Sequence, residues 1–305
     1  MIKSGFIGII GRPNVGKSTL INMIVGEKIA ITTHKPQTTR NRITGIKNLP
    51  PPFPGQFIFI DTPGIHKANS PLNESMLAAV RETIQGVDLL LLLIDAGAGI
   101  HPDDQAIIES LKDYGRPTIA AINKIDLIDK PRLLPIIDQL RHLFSFRAII
   151  PLCAVTGEGT EPLYREIWEL LPEGPMHFPP DIFTDQTERF LAGEIIREKI
   201  TLLTQQEVPY STAVVVEAFK EDEERNFIHI DATINVEKDS QKGIVIGKRG
   251  TMLKEIGRQA RLEMERFFAA RVYLQLFVRV RKDWSKDKRE MKELGYETKG
   301  TSSRK

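Results

Sequence analysis

Near the N-terminus, Gly11-Arg12-Pro13-Asn14-Val15-Gly16-Lys17-Ser18 places two glycines, a lysine and a hydroxyl at the spacing G-x-x-x-x-G-K-[ST]. The apolar run 6–10 precedes it, and an amphipathic stretch follows. At a strand-to-helix turn, glycines let successive backbone N–H groups, from Gly11 through Asn14, Val15 and Gly16 to Thr19, curl round phosphates at the helix N-terminus. Lys17 adds a mobile positive charge for the β- and γ-phosphates, and the Ser18 hydroxyl can ligate Mg²⁺. A glycine turn that binds nothing is the weaker reading, because the motif stands in the context it requires.

Three further clusters follow in order. Asp61-Thr62-Pro63-Gly64 ends the apolar run 57–60; there Asp61 can hold Mg²⁺ and Gly64 can present its N–H to a γ-phosphate. Asn123-Lys124-Ile125-Asp126 ends the run 118–122. Asp126 can accept from the N1–H and 2-amino group of guanine; adenine lacks both donors, and an unpaired carboxylate would penalise it. Lys124 can lay its stem along the purine, and Asn123 can tie this loop to the first one. Cys153-Ala154 follows the run 148–152, where the Ala154 N–H can face the guanine O6. Cys153 reads as a small packed residue rather than a redox thiol. Between the first two clusters, Thr38 or Thr39 can close over Mg²⁺; Thr39 is the expected ligand, beside Ser18 and Asp61.

These residues need a scaffold that delivers loops to one edge. Apolar strands over 6–10, 57–60, 87–95, 118–122 and 148–152 alternate with amphipathic stretches over 103–112, 133–143 and 161–171. That is the pattern of an α/β, doubly wound, mainly parallel sheet, which binds ligands at the strands' carboxyl ends. Pro172, Pro175, Pro179 and Pro180 then interrupt the chain, so residues 1–172 read as one domain and 173–186 as a linker.

Residues 187–305 read as a second domain of α+β type, ordered helix, two strands, helix pair, strand. Period-two alternation over 227–236 and 272–281 puts Val272, Leu274, Leu276, Val278 and Val280 inward. Between those strands lies Gly247-Lys248-Arg249-Gly250, preceded by an apolar run and followed by a helix over 251–268. This is the KH signature, in which a G-x-x-G loop clamps a nucleic-acid backbone. Lys248 and Arg249 add charge, and Lys254, Arg258 and Arg261 continue it along one helix face. The formal net charge of +2 hides a polarised chain: residues 241–305 hold 18 Lys and Arg against 8 Asp and Glu. A basic quarter on an acidic body suits phosphate neutralisation better than a merely solvated tail.

A single cysteine excludes an intrachain disulfide, and the longest aliphatic run is far short of a membrane span. The expected location is cytoplasmic.

The first 172 residues resemble the translation-factor-like, TrmE-Era-EngA-like GTPases, whose five motifs occur here in order; where the family has Ser-Ala, this chain has Cys153-Ala154. The resemblance implies GTP binding and hydrolysis to GDP with Mg²⁺, Lys17 and Thr39 serving catalysis. Ile65 stands where Ras-like enzymes carry a water-orienting glutamine, which implies slow intrinsic hydrolysis. In related GTPases an asparagine matching Asn14 binds K⁺ in place of an arginine finger; a loop-stabilising role for Asn14 stays open. Joined to a KH domain, the resemblance further implies type II strand order. Its implied partners are the 3′ end of small-subunit (16S) ribosomal RNA and the 30S subunit during assembly. A different RNA, a protein, or peripheral contact with the inner membrane is the alternative use of the basic domain.

Overall fold

The computed structural model describes residues 2–33, 35, 39–62, 83 and 85–296. Gly64, Ile65 and Thr38 lie outside them. The chain divides into two compact units: Met1–Ala30, Thr39–Lys67 and Met76–Asp185 form the first, and Ile31–Thr38, Ala68–Ser75 and Gln186–Lys305 form the second.

In the first unit, strands β1 (Lys3–Ile10), β2 (Ile43–Leu49), β3 (Gly55–Asp61), β4 (Leu89–Asp95), β5 (Thr118–Asn123) and β6 (Ala148–Pro151) form one sheet ordered β2-β3-β1-β4-β5-β6. Every neighbouring pair is parallel except β2–β3. Strand β4 is almost wholly buried, which is why it reads as an unbroken run of Leu and Ile rather than an alternation. Helices α1 (Lys17–Val25), α2 (Pro102–Leu111), α3 (Leu133–Leu143) and α4 (Thr160–Leu170) fill the connections. Ile10, Leu92, Ile94, Ile107, Ile108, Ile122 and Leu140 belong to one buried cluster.

The antiparallel strand β2 escapes sequence reading because of Gly45. A Cβ built there would stand 2.8 Å from both Ile21 Cγ1 and Ile29 Cδ1, so close packing on α1 removes the side chain that would carry the strand signal. The proline-punctuated stretch is anchored along this edge. Phe183 O accepts from Ile46 N at 2.8 Å, Thr184 Oγ1 donates to Thr44 O at 2.7 Å, and Gln56 Oε1 accepts from the N–H groups of His177 and Phe178.

The second unit contains α5 (Glu188–Leu203), β7 (Ala213–Asp222), β8 (Phe227–Val236), α6 (Asp239–Ile246), α7 (Thr251–Phe267), β9 (Arg271–Val280) and α8 (Lys288–Glu293). Its sheet is ordered β7-β8-β9; β7 runs antiparallel to β8, and β8 runs parallel to β9 across the α6–α7 crossover. The core holds Ile196, Ile200, Ile230, Ile234, Val245, Ile256, Ala260, Met264 and Val272. Leu274, Leu276, Val278 and Val280 pack on it, as the alternation predicts.

Among the described residues, Trp284 is the largest fully buried side chain. Its Nε1–H donates to Ser211 O at 2.9 Å, and its ring stacks on Tyr296 at 5.4 Å between centroids. Trp284→Ala therefore removes an indole and strands a carbonyl, and should cost the second unit about 3–5 kcal/mol. Denaturant unfolding of the intact chain, followed by far-ultraviolet circular dichroism, checks this; an unchanged midpoint would mean the indole contributes nothing.

Candidate nucleotide site and candidate nucleic-acid interface

The loop between β1 and α1 is built to carry N–H groups inward. Gly16 has φ +102°, a left-handed conformation that suits glycine, and a Cβ there would meet Asn123 Nδ2 at 2.2 Å. Gly11 is confined likewise, with Leu93 O 2.6 Å from where its Cβ would be. Lys17, buried, donates from Nζ to Gly11 O at 3.1 Å and Arg12 O at 3.0 Å. Burial lowers its pKa to about 8, against the opposing field of Asp61. An ammonium so held gains most from an anion brought into the loop, since phosphate oxygens supply the solvation that burial removed.

Ser18, Thr39 and Asp61 converge. Ser18 Oγ lies 2.8 Å from Thr39 Oγ1 and donates to Asp61 Oδ2 at 2.8 Å; Thr39 Oγ1 also donates to Oδ2, at 3.2 Å. Asp61 is completely buried, which raises its pKa despite Lys17 and these hydroxyls. Its second oxygen, Oδ1, is buried and has no hydrogen-bond partner among the described residues. A buried carboxylate oxygen left unpaired beside two hydroxyls is a hard-oxygen donor set of the kind Mg²⁺ takes. Thr62 Oγ1 fixes this strand end by donating to Ile9 O at 2.7 Å.

Asn123 joins three loops. Its Nδ2 donates to Val15 O at 2.8 Å, and its Oδ1 accepts from Ala154 N at 2.9 Å. The Ala154 N–H, expected to face a base, is thus directed at Asn123, and Cys153 beside it is buried and packed. Lys124 Nζ donates to Asn14 O at 2.7 Å, spanning from the β5 end to the first loop, while Asp126 is exposed and its carboxylate is open to a ligand. Sequence reading overlooked Asp95, whose Oδ2 takes Lys124 Nζ at 2.6 Å; an acidic residue closing an otherwise aliphatic strand was the available signal.

In the second unit, α6 ends at Gly247, φ +74°, and the chain turns through Arg249, φ +53°, and Gly250, φ +78°, into α7. A Cβ at Gly247 would lie 2.6 Å from Met252 Cβ, whereas at Gly250 it would meet nothing. The first glycine is thus required by the turn itself. Lys248, Arg249 and Lys254 are exposed. Arg258, also exposed, forms a fork with Glu255 at 2.7 and 2.9 Å, which lowers the Glu255 pKa to about 2 and raises that of Arg258; Arg261 pairs with Glu265 at 2.8 Å. These two guanidiniums must exchange partners to reach a phosphate. An open groove of about 730 Å³ is lined by Asp239 and Lys242 of α6 and by Phe277 and Arg279 of β9. The three side chains Lys242, Phe277 and Arg279 were not singled out by sequence; Phe277, half exposed on an outward position of a strand, was the legible hint.

The matching family models are "50S ribosome-binding GTPase" over residues 6–124 and "KH domain" over residues 207–285. GTPase Era of Syntrophus aciditrophicus is 64% identical over 296 residues, covering 97% of this chain and 96% of that protein. GTPase Era of Geobacter metallireducens is 53% identical over 294 residues, covering 96% and 98%. Among solved structures, a variant of Aquifex aeolicus Era bound to GDP and AlF₄⁻ aligns with TM-score 0.92 and 39% identity over 96% of this chain and 99% of that one. An Era structure with MgGDPNP and nucleotides 1506–1542 of 16S ribosomal RNA aligns with TM-score 0.93 and 39% identity over 97% and 99%. With a nucleotide-loop geometry and a KH unit on one chain, and relatives of this identity over nearly the full length, the chain belongs to the Era family of GTPases.

Proposed function

We propose that this GTPase binds GTP and GDP with Mg²⁺ at the Gly11–Ser18 loop, and that its KH domain, residues 187–305, holds the 3′ end of small-subunit ribosomal RNA to assist 30S assembly. The observation that carries the nucleotide half is the convergence of Ser18, Thr39 and Asp61 beside buried Lys17. The RNA half rests on the exposed Lys248-Arg249 turn and groove, together with the 16S RNA held by the 39%-identical Era structure.

Ser18, Thr39 and Asp61 would hold Mg²⁺, which when bound neutralises charge shared by the β- and γ-phosphates. Lys17 adds its charge to the same oxygens, and the N–H groups from Asn14 to Thr19 cradle the phosphates. Gly64, outside the described residues, is assigned the γ-phosphate on sequence grounds. Asp126 reads the guanine edge, Lys124 lies along its face, and Asn123 holds Ala154 and Cys153 in place behind it. Asn14, at φ +63° in the phosphate loop, is assigned K⁺, which would supply charge near the β,γ-bridging oxygen in place of an arginine finger.

The basic domain is assigned RNA rather than a membrane. Interfacial helices keep bulky apolar residues available for lipid, whereas the apolar positions Ile256, Ala260 and Met264 of α7 are buried in the KH core. Among the described residues no helix is long and apolar enough to cross a membrane. The site of action proposed is the cytoplasm.

Three measurements test these assignments. Asp126→Asn should weaken GTP binding at least about tenfold and shift preference toward xanthosine triphosphate, whose 2-carbonyl accepts from the new amide; unchanged affinities for both would remove Asp126 from base reading. Replacing Na⁺ by K⁺ should accelerate GTP hydrolysis, and Asn14→Ala should abolish the difference while sparing GDP binding; equal rates in the two salts would leave Asn14 a structural role only. Lys248→Asp with Arg249→Asp should collapse RNA affinity and reduce the magnitude of the salt slope by about 1.4, near 0.7 per lost phosphate contact, with GTP binding unaltered. A folded double variant that keeps its RNA affinity and slope would end the KH assignment of this loop.

A further inference from the structure

Lys124 is held at two points, and only one belongs to the phosphate loop. Its Nζ donates to Asn14 O at 2.7 Å and to Asp95 Oδ2 at 2.6 Å. Asp95 is the last residue of β4 and the register partner of Asn123 in β5. Its other oxygen accepts from Gly97 N at 2.9 Å, which fixes the rotamer that aims Oδ2 at the ammonium. The pair is largely shielded, with side-chain exposures of 30% for Lys124 and 18% for Asp95. Both Lys124 (φ +64°) and Asn14 (φ +63°) occupy the left-handed region, so the bridge joins two backbone segments that side-chain-bearing residues adopt only when held.

We infer that Asp95 is a positioning residue for nucleotide binding: it clamps the Lys124 ammonium against the phosphate loop, so that the lysine stem is fixed beforehand as a wall of the guanine pocket. This rests on the reading above that Lys124 lies along the purine face. An unanchored lysine samples many rotamers and must be ordered when the base arrives; a charge-assisted anchor at its tip orders it in advance. One oxygen alone would suffice to shape the turn at Gly97. The second oxygen is directed at Lys124, and that contact separates positioning from turn formation.

Asp95→Asn separates the two roles, because an amide carbonyl still accepts from Gly97 N–H while the charge facing Lys124 is lost. The expected result is release of a fluorescent GDP analogue roughly five- to tenfold faster, with a matching rise in KM for GTP and no change in kcat. Discrimination between GDP and IDP should be unchanged, since Asp126 reads the 2-amino group. In a Lys124→Ala background the same substitution should add less than about twofold. Faster release with Lys124→Ala but not with Asp95→Asn would overturn the role given to Asp95 and leave the purine wall standing. A silent Lys124→Ala would remove the wall itself. Full additivity, in variants whose thermal melts match the parent, would show that Asp95 acts by another route and so sink the inference.

Discussion

The side-chain amide of Asn123 has little freedom: its nitrogen donates to Val15 O, its oxygen accepts from Ala154 N, and Gly16 passes so close that a Cβ would stand 2.2 Å from Nδ2. Three loops from three parts of the chain are thereby fixed to one buried group at the end of β5. A deformation of any one of them leaves a buried amide or carbonyl unpaired, at a cost of about 1–3 kcal/mol. The loops after β1, β5 and β6 are thus tied into one rim. Arg12 adds a further tie, its Nε 2.8 Å from fully buried Asp104 on α2.

Inside that rim the charges are left poorly solvated. Lys17 and Asp61 are both buried; desolvation pushes the lysine pKa down to about 8 and the aspartate pKa up, and their mutual attraction only partly offsets this. Such a site is complementary to a ligand that brings phosphate to the lysine and a cation to the carboxylate. The proposed metal-bound nucleotide would offset the cost of burying these two charges, and Asp61 Oδ1, buried without a hydrogen-bond partner among the described residues, is the clearest trace of that arrangement.

The KH unit works by an opposite design. Its basic residues are exposed, some already paired with glutamates on the same helix, and its groove is open. Exposed charges of this kind are screened and individually weak, so the proposed RNA binding would have to come from many contacts along a backbone. Fixed geometry is concentrated at the turn, where Gly247 is demanded by the proximity of Met252. The loop presents Lys248 and Arg249 because the turn holds them out.

Much of this was legible in the chain itself. The candidate phosphate-loop, hydroxyl and carboxylate positions are local: their residue types and spacings follow from the chemistry of the proposed ligand, so Lys17, Ser18, Asp61, Asn123 and Asp126 can be nominated by reading. Buried parallel strands announce themselves as apolar runs for the same reason. What stayed hidden depended on partners distant in sequence. Strand β2 lost its signal where packing on α1 requires Gly45. The alternation of β7 is broken by a bulge between Val216 and Ala218. The pairing of Asp95 with Lys124 exists only because β4 and β5 are neighbours in register, and the direction of the Ala154 N–H was decided by the carbonyl of Asn123. Periodicity and motif report what a residue offers; which offer is taken up is set by the group that folding brings within about 3 Å of it.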